Sequence, residues 1–368
     1  MSARVTPPSS TSSDQHSLTA TVKETAPCQQ AIQAHLAPDG VGPVREVVLK
    51  EFQREANIAG FRKGKAPREL VERKYSGDIQ DELVRRLTRQ VLEQVSVDHK
   101  LRPVGPFEVS KLEYEAAKGL DIEARVEVEP AFKLGDYRGI DVKKPPVAVK
   151  PDEIDAALKQ LQESSAELVP VAPDQPKEKR VPNLDDEFAK DLGFQKLDEL
   201  KTHVEAKLRE NKQAEQRQEI ERTLCDALLE RHRFEVPTGL VTKQVERLTR
   251  DFQVRMLTAD YSEEQVKQEL EKYSEQMKSN AERHVKLSFI LDRVADQEEL
   301  SVTQDEIVER LWKLARRSGK DPSEVRRLLD AQGLWPSVLS SIRQEKTINF
   351  LLGVAHVDEP QPSTMAQA

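Results

Sequence analysis

The chain has 368 residues, of which 33% are charged and only 5% are aromatic, and its formal net charge is −8. A length of this order predicts roughly two or three domains, and a charged fraction above the usual quarter or so predicts long, solvated helices with a large surface. Because general nucleic-acid binders are usually basic, the acidic balance confines any contact with RNA to a local basic patch.

Other features of the whole chain exclude several environments. The two cysteines, Cys28 and Cys225, are far apart and form no CxxC motif, which favours a reducing compartment over a disulfide framework. No run approaches the roughly 18 apolar residues of a membrane span. Residues 1–17 are rich in Ser, Thr and Pro and lack the apolar stretch of a secretory signal, so we expect a disordered tail and a cytoplasmic protein.

Four strands are predicted within residues 18–130. Leu18–Val22 and Ile32–Leu36 alternate apolar and polar residues, which is typical of half-buried strands. The strictest alternation runs over Leu120–Val128, and the Lys-Gly pair before it predicts a hairpin with Phe107–Tyr114.

Two helices are predicted between the second and third strands, because apolar residues recur there at helical spacing. The residues that share a face are Val44, Val47, Val48 and Phe52 in the first helix, and Leu83, Leu87, Val91 and Val95 in the second. The resulting order, β-β-α-α-β-β, predicts an α+β domain with an antiparallel sheet over residues 18–130.

A connector is predicted over residues 131–182. Its first part, Lys143–Pro146, should be extended, since proline and the residue before it avoid the helical region. Pro151 then begins a helix, and four prolines around a charged centre indicate a linker over residues 169–182.

Residues 183–357 are predicted to form an extended all-α domain, because narrow apolar stripes on charged helices favour paired helical arms over a globular bundle. The two clearest stripes consist of Val241, Val245, Leu248 and Phe252, and of Val266, Leu270, Tyr273 and Met277. Capping boxes at Ser262–Gln265 and Thr303–Glu306, and the Asp321-Pro322 pair, mark helix starts. Residues 358–368 are expected to form an unstructured tail.

Motifs of enzyme active sites are absent from the sequence. The seven histidines are scattered, and there is no HExxH, no GxSxG and no Rossmann glycine fingerprint. The Gly60–Lys65 stretch superficially resembles a phosphate loop, but its glycines are one residue too close, and Ala66 replaces the Ser or Thr that would hold magnesium. We therefore predict no catalytic residue, no metal site and no cofactor.

The same stretch, extended to Gly60–Arg68, carries four positive charges and no negative one, which makes it a concentrated basic tip on an acidic protein. Its glycines permit a tight, open loop between two helices. Phe61 stands among the charges, and two interpretations are open. In one, Phe61 enters an apolar pocket of a partner while Arg62 and Lys63 pair with acidic groups around it, a composition common in binding hot spots. In the other, the ring folds back as a cap on the core.

Residues 60–67, Gly-Phe-Arg-Lys-Gly-Lys-Ala-Pro, resemble the GFRxGKxP signature loop of the ribosome-binding domain in the trigger factor family. Two further stretches, Pro182–Gly193 and Phe234–Pro237, resemble the start and a later part of that family's C-terminal chaperone domain. The resemblance spans about residues 18–357. It implies an ATP-independent chaperone that docks at the ribosomal exit tunnel and shields nascent polypeptides.

The resemblance also implies which residues act. The glycines should shape the loop, the aromatic and the first two basic residues should contact a ribosomal protein, and the last lysine should approach ribosomal RNA. These residues are Gly60, Phe61, Arg62, Lys63, Gly64 and Lys65. The expected partners are the ribosome and unfolded nascent polypeptides. We expect no binding to DNA or to a membrane, and the resemblance is compatible with a weak homodimer.

Client contacts are expected on mild, distributed apolar surface of the helical arms, because a single large patch would promote aggregation. The candidate positions are Leu311, Leu314, Val325 and Leu328, with Val338 and Ile342 in reserve. For any one of these positions, packing between helices is the commoner use of an apolar stripe.

One part of the family pattern is missing. Trigger factors usually carry an FKBP-like prolyl-isomerase domain after the connector helix, but only Val169–Val181 occupies that place here. A common domain has about 100 residues, so none fits. The sequence also lacks an aromatic cluster suited to an isomerase pocket, and we therefore predict no prolyl-isomerase activity.

Three alternatives remain open. A helical holdase of the periplasmic SurA type is opposed by the basic loop and by the lack of a signal peptide, and a prolyl isomerase with a cryptic site is opposed by the short linker. The third is a helical scaffold without chaperone activity. Ribosome co-sedimentation separates the trigger factor hypothesis from all three.

Overall fold

The computed structural model describes residues 18–169 and 178–358. The tails predicted over residues 1–17 and after residue 358, together with the centre of the proline-rich linker at residues 170–177, lie outside the described residues. Within the described part of the chain, no helix is both long and apolar enough to cross a membrane.

A four-stranded antiparallel sheet forms the framework of the N-terminal region, with the order β1-β2-β4-β3. The strands are β1 (Leu18–Ala26), β2 (Gln29–Leu36), β3 (Glu108–Glu115) and β4 (Gly119–Glu127). The predicted hairpin is confirmed, since Tyr114 pairs with Leu120. Alternation along β4 directs its apolar side chains to one face, where Leu120 and Ile122 are buried.

Three helices lie between β2 and β3: α1 (Pro38–Glu55), α2 (Arg68–Lys74) and α3 (Ser76–Asp98). The predicted face of α3 is confirmed, because Leu83 and its three partners are buried in one cluster with the sheet residues. The short α2 was not predicted, since seven residues are too few for a clear apolar period. The predicted face of α1 is partly wrong. Val48 is buried but Val47, one residue around the helix, is 49% exposed.

The described residues of the connector form one helix and three short strands. The helix α4 (Pro151–Ser164) begins at the predicted proline and buries Leu158. It follows β5 (Asp141–Lys143), and it precedes an antiparallel pair formed by β6 (Glu167–Val169) and β7 (Glu178–Arg180). The strands were not predicted, because three residues are too few to show alternation.

Helices dominate the chain after residue 183, as predicted. They are α5 (Asp186–Asp191), α6 (Leu197–Arg231), α7 (Thr238–Thr258), α8 (Glu263–Gln297), α9 (Gln304–Ser318), α10 (Pro322–Ala331) and α11 (Trp335–Val354). A last strand, β8 (His356–Asp358), pairs in parallel with β5, where Val142 lies opposite Val357. This pairing joins distant parts of the chain and has no signature in the sequence.

Hydrogen bonds confirm the predicted helix starts. At α8, Ser262 Oγ accepts from Gln265 N–H at 3.3 Å, and Gln265 Oε1 accepts from Ser262 N–H at 2.9 Å. Thr303 and Glu306 form the same reciprocal arrangement at α9, and the Asp321 carboxylate caps α10. These bonds satisfy first-turn amides that have no partner within their own helix.

Two compact units can be distinguished in the chain. The first joins the residues up to Lys133 with Arg233–Phe289, and the second joins Leu134–His232 with the residues from Ile290 onward. The first unit therefore contains the four-stranded sheet, α1 to α3, α7 and most of α8. The second contains α4 to α6 and α9 to α11. Each unit is built from two separate stretches of sequence.

Candidate functional site

Two tight turns shape the basic loop, which is the segment of residues 56–67 between α1 and α2. In the first turn, Phe61 N–H donates to the carbonyl oxygen of Ile58 at 3.1 Å. In the second, Lys65 N–H donates to the carbonyl oxygen of Arg62 at 2.9 Å. A glycine occupies the third position of each turn, which is the position that often requires a positive φ.

Both ends of the basic loop are attached to the surrounding helices. At one end, the carbonyl oxygen of Asn57 accepts from Lys74 Nζ at 2.7 Å and from the Tyr75 hydroxyl at 3.2 Å. At the other end, Gln53 Nε2 donates to the carbonyl oxygen of Ala66 at 2.9 Å, and Ala66 is buried. Fixed ends lower the conformational entropy that a partner would have to remove on binding.

Phe61 lies on the exposed part of the basic loop and is 42% exposed. The apolar cluster beneath the loop consists of Val48, Leu49, Ala56, Ala66, Val71 and Ile79, with Val44, Phe52, Ile58 and Tyr75 packed against it. Phe61 is more exposed than any of these residues and is not among them. The exposure favours the interpretation in which the ring is available to a partner, and its role as an anchor stays a prediction.

Three basic side chains of the loop are available at its surface. Arg62, Lys63 and Lys65 are exposed, and no ion pair involves them within residues 18–169 and 178–358. A partner that approaches the loop therefore meets three cations without having to break an intramolecular pair. This arrangement suits an anionic surface.

Arg68, which the sequence groups with the basic tip, holds the helices together instead. Its guanidinium donates to both carboxylate oxygens of Glu46, at 2.6 and 3.0 Å, and to Glu72 at 3.1 Å. The hydrogen bonds with Glu46 raise the pKa of Arg68 and lower the pKa of the Glu46 carboxyl group. Because these bonds tie α2 to α1, Arg68 positions the loop rather than enlarging its binding surface.

The predicted client positions on α9 and α10 differ in their exposure. Leu311 and Val325 are each only 8% exposed and form a core cluster between the helices with Ala315, against which Leu314 packs. Leu328 is 43% exposed. Client contact at the buried positions would need the helices to separate, whereas Leu328 is accessible as it stands. Their assignment as client contacts stays a prediction.

The reserve positions lie on α11, where Val338 is half-buried and Ile342 is buried. Two exposed apolar residues of α9 were missed, Val308 at 43% exposure and Trp312 at 53%. Their four-residue spacing was a usable signal, because it places both side chains on one helical face.

Among the residues that the structure describes, no group of three or more His, Cys, Asp or Glu side chains could hold a metal ion.

The described residues combine an α+β region that carries a fixed basic loop with a helical region that exposes apolar side chains, the class of fold to be expected of a binding protein rather than of an enzyme with a closed pocket. Comparison with known families makes this specific. Residues 18–161 match the family model for bacterial trigger factor protein (TF), and residues 196–353 match that for the bacterial trigger factor protein (TF) C-terminus. The two matches cover most of the chain, which belongs to the bacterial trigger factor family of chaperones. Neither match is to a prolyl-isomerase domain.

Relatives and a solved structure agree with this membership. The trigger factors of Syntrophotalea carbinolica and Solibacter usitatus are 26% and 23% identical to the chain, and cover 84% and 88% of it and 89% and 96% of their own length. A solved structure of the trigger factor chaperone, concerned with promiscuous substrate recognition in its folding and assembly activities, is 18% identical. It covers 90% of this chain and 99% of its own, with a TM-score of 0.50, and it confirms the fold. The SurA-type and isomerase alternatives are not favoured.

Proposed function

We propose that this protein is an ATP-independent chaperone, which docks beside the ribosomal exit tunnel through its basic loop and holds unfolded nascent polypeptides on its helices. The observation that carries the proposal is the exposure of Phe61 next to three basic side chains. Within the described residues, these side chains form no ion pair. Membership of the trigger factor family supports the same function.

The basic loop suits a partner surface that is apolar at its centre and anionic at its rim. Phe61 would fill an apolar pocket of a ribosomal protein, with Arg62 and Lys63 paired to acidic groups around it and Lys65 near ribosomal RNA. Exposed charge pairs contribute only about 0.2–1 kcal/mol each, so the buried ring would supply much of the affinity. Because salt screens the charge pairs, binding should weaken as ionic strength rises.

Replacing Phe61, Arg62 and Lys63 together by Ala tests the docking role. We expect the triple variant to lose co-sedimentation with ribosomes, because it removes the ring and two charges while the turns and anchors of the loop remain. Its circular dichroism and thermal unfolding should match those of the parent protein, since all three side chains are exposed. Unchanged co-sedimentation would contradict the assignment.

A control with the same change in net charge removes one exposed apolar and two exposed basic side chains from another part of the same compact unit. Val97 is 72% exposed, and the side chains of Arg85 and Arg102 are 70% and 64% exposed. Replacing these three residues by Ala should leave co-sedimentation intact. A comparable loss in the control would mean that overall charge, rather than the basic loop, mediates the interaction.

We also propose that different segments of the chain perform different parts of this function. Residues 18–130 would be the ribosome-binding domain, residues 131–182 the connector, and residues 183–357 the domain that holds clients. The holding activity should need no nucleotide, because the sequence has no nucleotide-binding motif. Suppression of aggregation without ATP separates such a chaperone from a helical scaffold.

We further propose that the protein is not a prolyl isomerase and that it works in the cytoplasm. The family matches cover only N- and C-terminal trigger factor regions. Only 31 residues, 165–195, lie between α4 and the first residue of the C-terminal match, and the described ones form β6, β7, α5 and their connections. That stretch is too short to hold a further domain of the common size of about 100 residues.

A further inference from the structure

The chain that leaves the basic loop lies along α1 and is attached to that helix at two points. Gln53 Nε2 donates to the carbonyl oxygen of Ala66 at 2.9 Å, and the Arg68 guanidinium bonds the Glu46 carboxylate. Gln53 and Glu46 are seven residues apart, which is about two helical turns, so both lie on the side of α1 that faces this segment. The attachment at Ala66 is the one next to the cations of the loop, because Lys65 directly precedes it.

The carbonyl oxygen of Ala66 depends on this donor. Ala66 is 1% exposed, so water has little access to its carbonyl group. A buried acceptor that loses its donor costs more free energy than an average hydrogen bond contributes, because nothing restores its lost hydration. Without the Gln53 amide, the chain at Ala66 would have to move outward to reach water. Gly64 and Lys65 would move with it, since they directly precede Ala66 in the chain.

The other end of the basic loop is attached in a way that is less sensitive to the loss of one donor. The carbonyl oxygen of Asn57 accepts from both Lys74 Nζ and the Tyr75 hydroxyl. Asn57 is also exposed, so water can take the place of either donor. The two ends of the loop therefore provide an internal comparison between a buried attachment and an exposed one.

We propose that Gln53 is a positioning residue for ribosome docking, which holds the Gly64–Lys65 part of the basic loop in its binding conformation. The inference rests on the proposed docking function and adds a residue that lies outside the signature stretch of residues 60–67. In the turn that Gln53 would support, Lys65 N–H donates to the carbonyl oxygen of Arg62 at 2.9 Å. A loop that is ordered before it binds loses less conformational entropy on binding, and this preorganisation raises its affinity.

The test replaces Gln53 by Met in the full-length protein. Methionine is similar in length and in helix propensity, but it has no donor. We expect the dissociation constant for purified ribosomes, measured with fluorescently labelled protein, to rise about three- to tenfold, which corresponds to the loss of about one hydrogen bond. Conditions are chosen in which every variant is folded, so a lower global stability alone would not change this constant.

Two further measurements separate positioning from direct contact. The slope of the dissociation constant with salt, on logarithmic axes, should be the same for Gln53→Met and the parent protein, because Arg62, Lys63 and Lys65 all remain. In contrast, Arg62→Ala should lower that slope. Hydrogen exchange at the Lys65 amide of the free protein should become several-fold faster in Gln53→Met, because the turn that protects this amide opens more often.

Two matched controls accompany the Gln53 variants. Tyr75→Phe removes a donor from the exposed attachment at Asn57, and Gln90→Met makes the same chemical change at an exposed position of α3. Both should leave the dissociation constant within about twofold of the parent value, as substitutions with little effect on a buried group do. Gln53→Ala should weaken binding as Gln53→Met does, which excludes the packing of the methionine side chain as the cause.

Unchanged affinity in both Gln53 variants would overturn the inference. Weaker binding without faster exchange at Lys65 would also overturn it, because Gln53 would then contact the ribosome directly. So would a reduced salt slope in Gln53→Met, or an equal loss of affinity in Gln90→Met. Unchanged co-sedimentation of the triple Ala variant of the loop would instead overturn the proposed docking function. Loss of binding in that triple variant, together with full binding in both Gln53 variants, would leave the docking function standing and remove only this inference.

Discussion

At the scale of single residues, the basic loop depends on backbone conformation as well as on charge. Gly60 and Gly64 have φ values of +87° and +80°. A Cβ atom at Gly60 would meet no other atom within 4 Å, and one at Gly64 would lie 3.5 Å from the Arg54 carbonyl oxygen, an ordinary contact. Glycine is therefore required at these positions for its conformational freedom rather than for lack of space.

Replacing Gly60 by Ala should lower the free energy of unfolding by about 1 kcal/mol, because an L-residue is strained in the left-handed region. Urea denaturation measures this change, and ribosome co-sedimentation should weaken with it. Gly77 is the control, since it lies in the first turn of α3 without a positive φ. Gly77→Ala should stabilise the protein by about 0.5–1 kcal/mol. Equal effects at the two positions would show that the turn geometry is not needed.

At the scale of elements, a first-turn backbone N–H of α7 is satisfied by a side chain from a strand that is distant in sequence. Its N-cap residue is Pro237, which has no capping side chain, and no residue of α7 is buried. Glu127, the last residue of β4, takes over this role. Its Oε1 accepts from Gly239 N–H at 2.7 Å and from the Thr238 hydroxyl at 3.1 Å. A carboxylate in this position satisfies a first-turn amide and interacts favourably with the helix dipole.

Replacing Glu127 by Ala should therefore cost about 1 kcal/mol, as the loss of a helix cap does elsewhere. Gly239→Ala should also displace the carboxylate, because its Cβ would lie 2.6 Å from Glu127 Oε2, but the better helix propensity of Ala should offset much of the loss in stability. Urea denaturation and amide exchange in α7 are the measurements. Glu123, on the same strand, caps no helix, and its replacement by Ala should change stability by no more than about 0.5 kcal/mol. A comparable loss at Glu123 would rule out the cap.

At the scale of the whole molecule, the basic loop is a local concentration of positive charge on an acidic chain. The formal net charge is −8, whereas the basic loop presents three exposed cations that form no ion pair within the described residues. Between β6 and β7 the chain has room only for residues 170–177. The chain thus has no insertion of domain size between these two strands.

A refolding assay with a proline-limited substrate, coupled to a protease, tests the proposed lack of prolyl-isomerase activity. We expect no acceleration over the spontaneous reaction, which takes about tens to hundreds of seconds at 25 °C. An FKBP-type isomerase serves as the positive control. Clear acceleration by the parent protein would contradict the proposal that it lacks this activity.

The β-β-α-α-β-β order of the main N-terminal elements, the hairpin, the inner face of α3 and the local caps of α8, α9 and α10 were predictable from the sequence. Each depends on periodicity or on residues that are close neighbours in the chain. The basic loop was also predictable from the sequence, because its glycines and basic residues lie in one short stretch. Its assignment to the ribosome still rests on family resemblance and awaits the co-sedimentation experiment.

Other features were decided only by the tertiary structure. Spacing shows which residues share a helical face, but it does not show which face is buried. Spacing placed Val308 and Trp312 on one helical face, but it did not show that these two side chains are exposed and that Leu311 is buried. Arg68 was counted with the tip although it bonds Glu46 on another helix, and the capping of α7 by Glu127 had no local signal. Such contacts join residues far apart in the chain, where no periodicity or motif records that they meet.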